Sequence, residues 1–127
     1  MKIASLIARL LLGLIFLVFG LNGFFHFIPM PPPTGLAGQF FTALFLSHYW
    51  VVIFGLQVIG GVLLLINKYV PLALVLVGPV IANILCFHAF MAPAGLPLAI
   101  IVAILWTIVA VRHKQNLAGI FTQSASA

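Results

Sequence analysis

Hydrophobic residues fill four long runs of this chain, separated by short stretches that carry proline, glycine or charge. The runs cover about residues 3–28, 49–66, 70–91 and 96–111. A membrane-spanning helix needs roughly 20 apolar residues at about 1.5 Å rise per residue, and each run meets or approaches that length. Proline, which ends a helix or occupies its first turn, follows the first run and lies near the start of the third and fourth. The pattern therefore predicts four transmembrane helices.

The first connection, "PMPPPTGLAGQFFTALFLSH", is too apolar for a simple loop. Leu36, Phe40 and Leu44 recur at helical spacing, so we expect residues 35–46 to form a short helix in the outer membrane interface. A re-entrant segment that dips into the bilayer is the alternative. The predicted fold class is all-α: an integral membrane four-helix bundle, one domain over residues 1–127, with a short interfacial helix between helices 1 and 2.

Composition supports a membrane location. Of the 127 residues, 65% are hydrophobic and only 4% are charged, with no Asp or Glu. A soluble domain carries about a quarter charged residues, so the surface of this chain is expected to face lipid. The first run follows Lys2 but is longer than the apolar core of a signal peptide and lacks an A-x-A cleavage site. We interpret it as a retained first span.

The basic residues predict the orientation. An up-down-up-down bundle places all five on one side of the membrane: Lys2, Arg9, Lys68, Arg112 and Lys114. The positive-inside rule then predicts that both termini are cytoplasmic. Each basic residue near anionic lipid contributes about 1 kcal/mol of attraction. The lipid bilayer is thus the expected partner, and nucleic acid is not, because no folded soluble surface carries the charge.

Five polar residues stand near the outer ends of the runs. Counted from the helix ends, Asn22, Gln57 and Asn83 lie roughly 9–14 Å below the outer boundary, at one level. His26, four residues after Asn22 and on the same helical face, lies nearer the surface, as does His88. The sequence therefore predicts a layer of side-chain amides beneath a layer of imidazoles.

Two interpretations of the polar residues stay open. Side-chain amides and glycines hold membrane helices together, and Gln57, Gly60, Gly61 and Leu64 form one stripe on the second helix. Alternatively, polar groups inside a bundle line a ligand site, here an outward-facing pocket for a quinone-like molecule with carbonyl or hydroxyl groups. The ligand-binding residues of that pocket are Asn22, His26, Gln57, Asn83 and His88.

Three segments resemble the DoxX family of small bacterial four-helix membrane proteins. They are "RLLLGLIFLVFGLNGFFHFIP", "FGLQVIGGVLLLINKYVPLAL" and "NILCFHAF" with the following "PLAIIVAILW". The resemblance implies a membrane subunit of a redox or quinone-linked system. Family members commonly carry Glu where this chain has Gln57. Because an amide does not ionise, the resemblance does not extend to proton transfer at that position.

Several other functions remain alternatives. A non-catalytic assembly or anchor subunit is compatible with every residue, and Gly13, Gly20, Gly60 and Gly61 would then face partner helices in a homo-oligomer or beside a redox partner subunit. A b-type haem protein would use His26 with His88 or His48 as axial ligands.

Catalysis and transport have little support in the residues. Acid–base chemistry by the chain alone would depend on His26, because no carboxylate is present. No metal site is expected, since the histidines lack a carboxylate or thiolate partner in register. A proton-coupled small exporter normally needs an intramembrane carboxylate. The single cysteine, Cys86, excludes a C-x-x-C thiol–disulfide enzyme.

Overall fold

Helices make up most of residues 2–124, the part of the chain that the structure, a computed structural model, describes. No strand occurs within that range, and the predicted all-α class is confirmed. The six α-helices are α1 (Lys2–Phe25), α2 (Gly35–Leu46), α3 (Trp50–Ile66), α4 (Val70–Phe90), α5 (Leu96–Arg112) and α6 (Lys114–Leu117). Short 3-10 turns at Pro93–Gly95 and Ala118–Phe121 precede α5 and follow α6.

The turn between α3 and α4 is made by two residues in the left-handed conformation. Asn67 has φ 57° and Tyr69 has φ 54°. Asparagine tolerates this region better than most residues, so it ends a helix well. The backbone N–H groups of Asn67 and Lys68 both donate to the carbonyl of Leu63, the latter at 3.1 Å. The chain reverses within three residues, which lets α4 pack against α3.

The first helix ends three residues before the predicted boundary. His26 adopts φ 52°, and the helix stops at Phe25. The carbonyl oxygen of the Asn22 side chain accepts a hydrogen bond from the backbone N–H of Ile28 at 2.7 Å. This bond supplies a partner for a backbone group beyond the helix end.

The four long helices form a ring in which each packs against two others. α1 contacts α3 and α5, and α4 contacts the same two helices from the opposite side. Buried aliphatic side chains from all four helices fill the centre, so burial of apolar surface holds the ring together. The most enclosed are Leu12, Leu64, Leu74, Val77 and Val109.

Glycines allow α1 and α3 to approach at backbone distance. A Cβ added at Gly61 would lie 2.6 Å from the backbone nitrogen of Leu17, and one added at Gly20 would lie 3.0 Å from Cβ of Gln57. At Gly13 the nearest atoms also belong to α3, while at Gly60 the nearest atom is Cγ1 of Val77 on α4. The glycines predicted to face partner helices thus face neighbouring helices of the same chain.

α2 lies across one end of the ring. Its axis and that of α3 differ by 87°, with a break of three residues between them. By length and composition α1, α4 and α5 are each able to cross a membrane, the last counted together with its preceding turn. A fourth crossing is obtained if α2 and α3 are counted as one bent span. At about 1.5 Å per residue, the 17 residues of α3 alone extend about 25 Å.

Candidate functional site

Gln57 is the buried polar residue at the middle of the α1–α3 contact. Only 6% of its surface is exposed. It shares a buried face of α3 with Gly60, Gly61 and Leu64, as the sequence pattern predicts. Its side-chain amide makes no hydrogen bond to any group within residues 2–124. Within residues 2–124 no side-chain nitrogen or oxygen is both fully enclosed and without a partner, so the amide of Gln57 keeps a small accessible surface.

A cluster of seven aromatic side chains, here called the aromatic roof, covers the end of the ring nearest Gln57. Phe54 of α3 lies one helical turn from Gln57 and fits over Gly23 of α1, where a Cβ would be 2.2 Å from the ring. The ring of Phe45 on α2 stacks on that of Trp50, with centroids 5.4 Å apart. The members of the roof are Phe24, Phe40, Phe41, Phe45, Trp50, Phe54 and Phe87.

The roof is also what attaches α2 to the rest of the chain. Phe40 and Phe41 of α2 contact Phe87 of α4 at centroid separations of 5.4 and 5.3 Å. Such aromatic pairs add about 0.5–1.5 kcal/mol each beyond the area they bury. The segment between the first two long helices therefore covers the Gln57 end of the ring through ring-to-ring contacts.

The two other amides of the predicted layer point elsewhere. The Asn22 carbonyl oxygen is engaged by Ile28, as described above. Asn83 is exposed, and its amide nitrogen donates to the carbonyl of Pro79 in its own helix at 2.9 Å. The core positions of α4 are taken by Val77, Val80 and Ile81, and Asn83 lies outside that buried face. The structure does not bring the three amides together around Gln57.

The histidines are also dispersed. His26 is exposed and its ring centroid lies 5.9 Å from that of Phe45. His88 is half-buried, with Nδ1 3.0 Å from the carbonyl oxygen of Ala92, and its ring packs so closely on Gly95 that a Cβ there would be 2.2 Å away. His48 is exposed with φ 63°. Within residues 2–124, no three His, Cys, Asp or Glu side chains are grouped so that they could hold a metal ion.

Arg9 has a tertiary role that the sequence did not reveal. From the sequence, Arg9 is one of the basic residues near the N-terminus and nothing more. In the structure Nη1 of Arg9 donates to the carbonyl of Leu64 and lies 3.5 Å from that of Leu65. These carbonyls belong to the last turn of α3, where backbone acceptors lack helical partners and carry partial negative charge. The signal available in the sequence was an arginine seven residues into an apolar helix.

Trp106 is a second residue whose role the sequence did not reveal. Its indole N–H donates to the carbonyl of Leu74 at 3.0 Å, joining α5 to α4. The indole ring lies beside Gly78. A Cβ added at Gly78 would be 3.6 Å from Cζ2 of Trp106, an ordinary van der Waals distance. A buried indole usually needs such an acceptor for its polar end.

Two surface grooves accompany the bundle, and Gln57 lines neither. One lies at the start of α2 and includes Thr34, Gly38 and Thr42. The other, about 400 Å³, runs between α4 and α5 along Leu85, Ile104 and Ile108.

Comparisons with protein-family models, with curated proteins and with solved structures found no match to this chain. The resemblance to the DoxX family, like the function it implies, stays a prediction from the residues.

Proposed function

We propose that this chain is an integral membrane protein with cytoplasmic termini, and that it binds a quinone-like ligand at Gln57 beneath the aromatic roof. On this proposal it serves as the membrane subunit of a redox or quinone-linked system, as the resemblance to the DoxX family implies. The observation that carries the ligand site is the amide of Gln57, which has no hydrogen-bond partner within residues 2–124 although only 6% of the residue is exposed.

The surface of the helices supports the membrane location. Large aliphatic side chains of α1 and α5 are half exposed, among them Ile7, Leu14 and Ile104. A soluble protein rarely leaves continuous apolar surface of this kind in water. Basic side chains lie at one end of the ring, near the start of α1, the α3–α4 turn and the end of α5. The positive-inside rule places that end in the cytoplasm.

The chemistry of Gln57 suits a ligand carbonyl. Its amide nitrogen offers two donors, and its oxygen accepts from a hydroxyl. A ligand that bonds this amide would give it the hydrogen-bond partner that residues 2–124 do not supply. The neighbouring rings of Phe54 and Trp50 present flat apolar surface to a planar ring. Gln57 would bind and orient such a head group. It would not transfer protons, because a side-chain amide does not ionise.

The tight packing around Gln57 favours a second candidate, a non-catalytic assembly subunit. α1 and α3 approach at backbone distance at Gly20 and Gly61, and Gln57 lines neither of the two grooves described above. In that function the chain would anchor a partner protein in the membrane, and the amide would serve helix packing. The two candidates differ in what removal of the amide does to ligand affinity.

The test compares Gln57→Leu with Gln39→Leu, which removes an exposed amide of α2 outside the proposed site. Both proteins, purified in detergent, are titrated with a short-chain quinone while quenching of tryptophan fluorescence is followed. A site at Gln57 predicts that Gln57→Leu weakens binding about 3- to 10-fold, the value of one neutral hydrogen bond, and that Gln39→Leu changes nothing. It also predicts that thermal stability of Gln57→Leu is unchanged or raised, because no bond within the chain is lost.

Equal affinity of Gln57→Leu and the unchanged protein would contradict the ligand site. If the same variant also unfolded at lower temperature, packing would be the function of Gln57, and the assembly subunit would be the better description.

A further inference from the structure

Asn83 presents an incompletely bonded amide on the outside of the ring. It lies in the middle third of α4, four residues after Pro79, and its side chain is exposed. One N–H of its amide bonds the carbonyl of Pro79. The amide's second N–H and its carbonyl oxygen have no partner within residues 2–124. Water would satisfy both groups on a soluble protein, but hydrocarbon does not.

Asn83 carries the only exposed side-chain amide on α1, α3, α4 and α5. Among the side-chain amides of α1, α3, α4 and α5, Asn22 is half-buried and Gln57 is buried. Thr107, an exposed polar residue of α5, donates its hydroxyl to the carbonyl of Ala103 at 2.8 Å. The hydroxyl is satisfied within its own helix, whereas the Asn83 amide is satisfied only in part. Polar side chains at this depth normally bond to a neighbouring helix.

Asn83 belongs to a narrow exposed stripe that runs the length of α4. The flanks of the stripe are covered by α3 and α5, which pack on either side. Most of its members are three or four residues apart, so they lie on one side of the helix. They are Leu72, Val75, Pro79, Ala82, Asn83, Cys86, Ala89 and Phe90.

We infer that two copies of this chain pair through this stripe, α4 against α4, with the Asn83 amides bonded to each other. The inference rests on the membrane insertion proposed above, but not on the ligand site. Copies inserted with the same orientation have parallel α4 helices, so their Asn83 side chains lie at the same depth around a two-fold axis. An amide carries both donor and acceptor, so an identical amide satisfies it. Gly13, Gly20, Gly60 and Gly61 already pack against neighbouring helices of the same chain.

Cys86 makes the pairing measurable. It is the only cysteine of the chain, it is exposed, and it lies three residues from Asn83 on the same stripe. Carbonate-washed membranes holding the protein at high dilution in lipid are treated with copper-phenanthroline or a short bis-maleimide. The pairing predicts a crosslinked dimer. Asn83→Leu should weaken association about 5- to 30-fold, and Asn83→Gln should retain most of it.

The matched control moves the cysteine to another exposed helix face. In a Cys86→Ala background, Leu14→Cys places a thiol on the exposed face of α1, which packs against α3 and α5 on the side of the ring away from α4. The pairing predicts no dimer from this variant under conditions that crosslink Cys86.

Two results would overturn the inference, and they are distinguishable. Three outcomes in protein recovered from the washed membranes would refute the pairing alone: no crosslink through Cys86, an equal crosslink after Asn83→Leu, or an equal crosslink from position 14. Protein absent from the washed membranes would refute the membrane insertion on which it rests.

Discussion

Close contact between α1 and α3 is tested most directly by adding one methyl group at Gly61. The Cβ of alanine there would lie 2.6 Å from the backbone nitrogen of Leu17 and 2.8 Å from the carbonyl oxygen of Gly13. Both atoms belong to the backbone of α1, so no rotamer change relieves the overlap. The two helices would have to move apart.

The magnitude follows from two opposing terms. Overpacking a tightly packed contact costs about 1–3 kcal/mol. Alanine is favoured over glycine inside a helix by about 1 kcal/mol, which offsets part of that cost. Gly55→Ala, in the same helix, isolates the second term, because nothing lies within 4 Å of its added Cβ. We expect Gly61→Ala to be less stable than Gly55→Ala by about 1–3 kcal/mol, which is the packing term alone.

The assay is thermal or denaturant unfolding of both variants and the unchanged protein in the same detergent. Gly55→Ala should unfold at or above the midpoint of the unchanged protein, and Gly61→Ala below it. If the two variants unfold together, α1 and α3 do not approach at backbone distance, and the described packing of Gln57 against Gly20 loses its basis as well.

Two further substitutions test the contacts that the sequence did not reveal. Arg9→Met keeps the apolar stem but removes the charged donors to the end of α3, so we expect a loss of about 1–3 kcal/mol; an unchanged unfolding midpoint would show that the carbonyl of Leu64 does not depend on Arg9. Trp106→Phe retains an aromatic ring without the indole N–H that bonds Leu74, and should cost about 0.5–1.5 kcal/mol plus some packing. Equal stability of Trp106→Phe and the unchanged protein would contradict the α4–α5 bond.

The sequence predicted the helices well because their determinants are local. Apolar runs of sufficient length and the prolines that limit them reproduced the helix ends to within about three residues. Residues 35–46 were predicted as a short helix, and α2 covers that range. The stripe around Gln57 was also predicted, because glycines beside an amide indicate where a membrane helix meets its neighbour.

The sequence could not orient α4. That helix is apolar on every side, so its pattern does not distinguish the core face from the lipid face. Asn83 was placed beside Gln57 on depth alone, yet core positions go to Val77, Val80 and Ile81 and leave Asn83 outside. Depth along a helix is read from residue number, whereas direction around it depends on which helices pack on each side.

Sequence by itself thus determined that the described chain is helical, where α1 to α5 begin and end to within about three residues, and which face of α3 is buried. Hydropathy, proline and glycine act within a few residues, so these features are local. Only the tertiary structure decided that Arg9 bonds the end of α3, that aromatic rings of α2 cover the bundle, and that Gln57 is buried without a partner while Asn83 faces outward. Those outcomes depend on contacts between residues far apart in the chain, as with Arg9 and Leu64, 55 positions apart. Such contacts exist only once all four long helices have packed together.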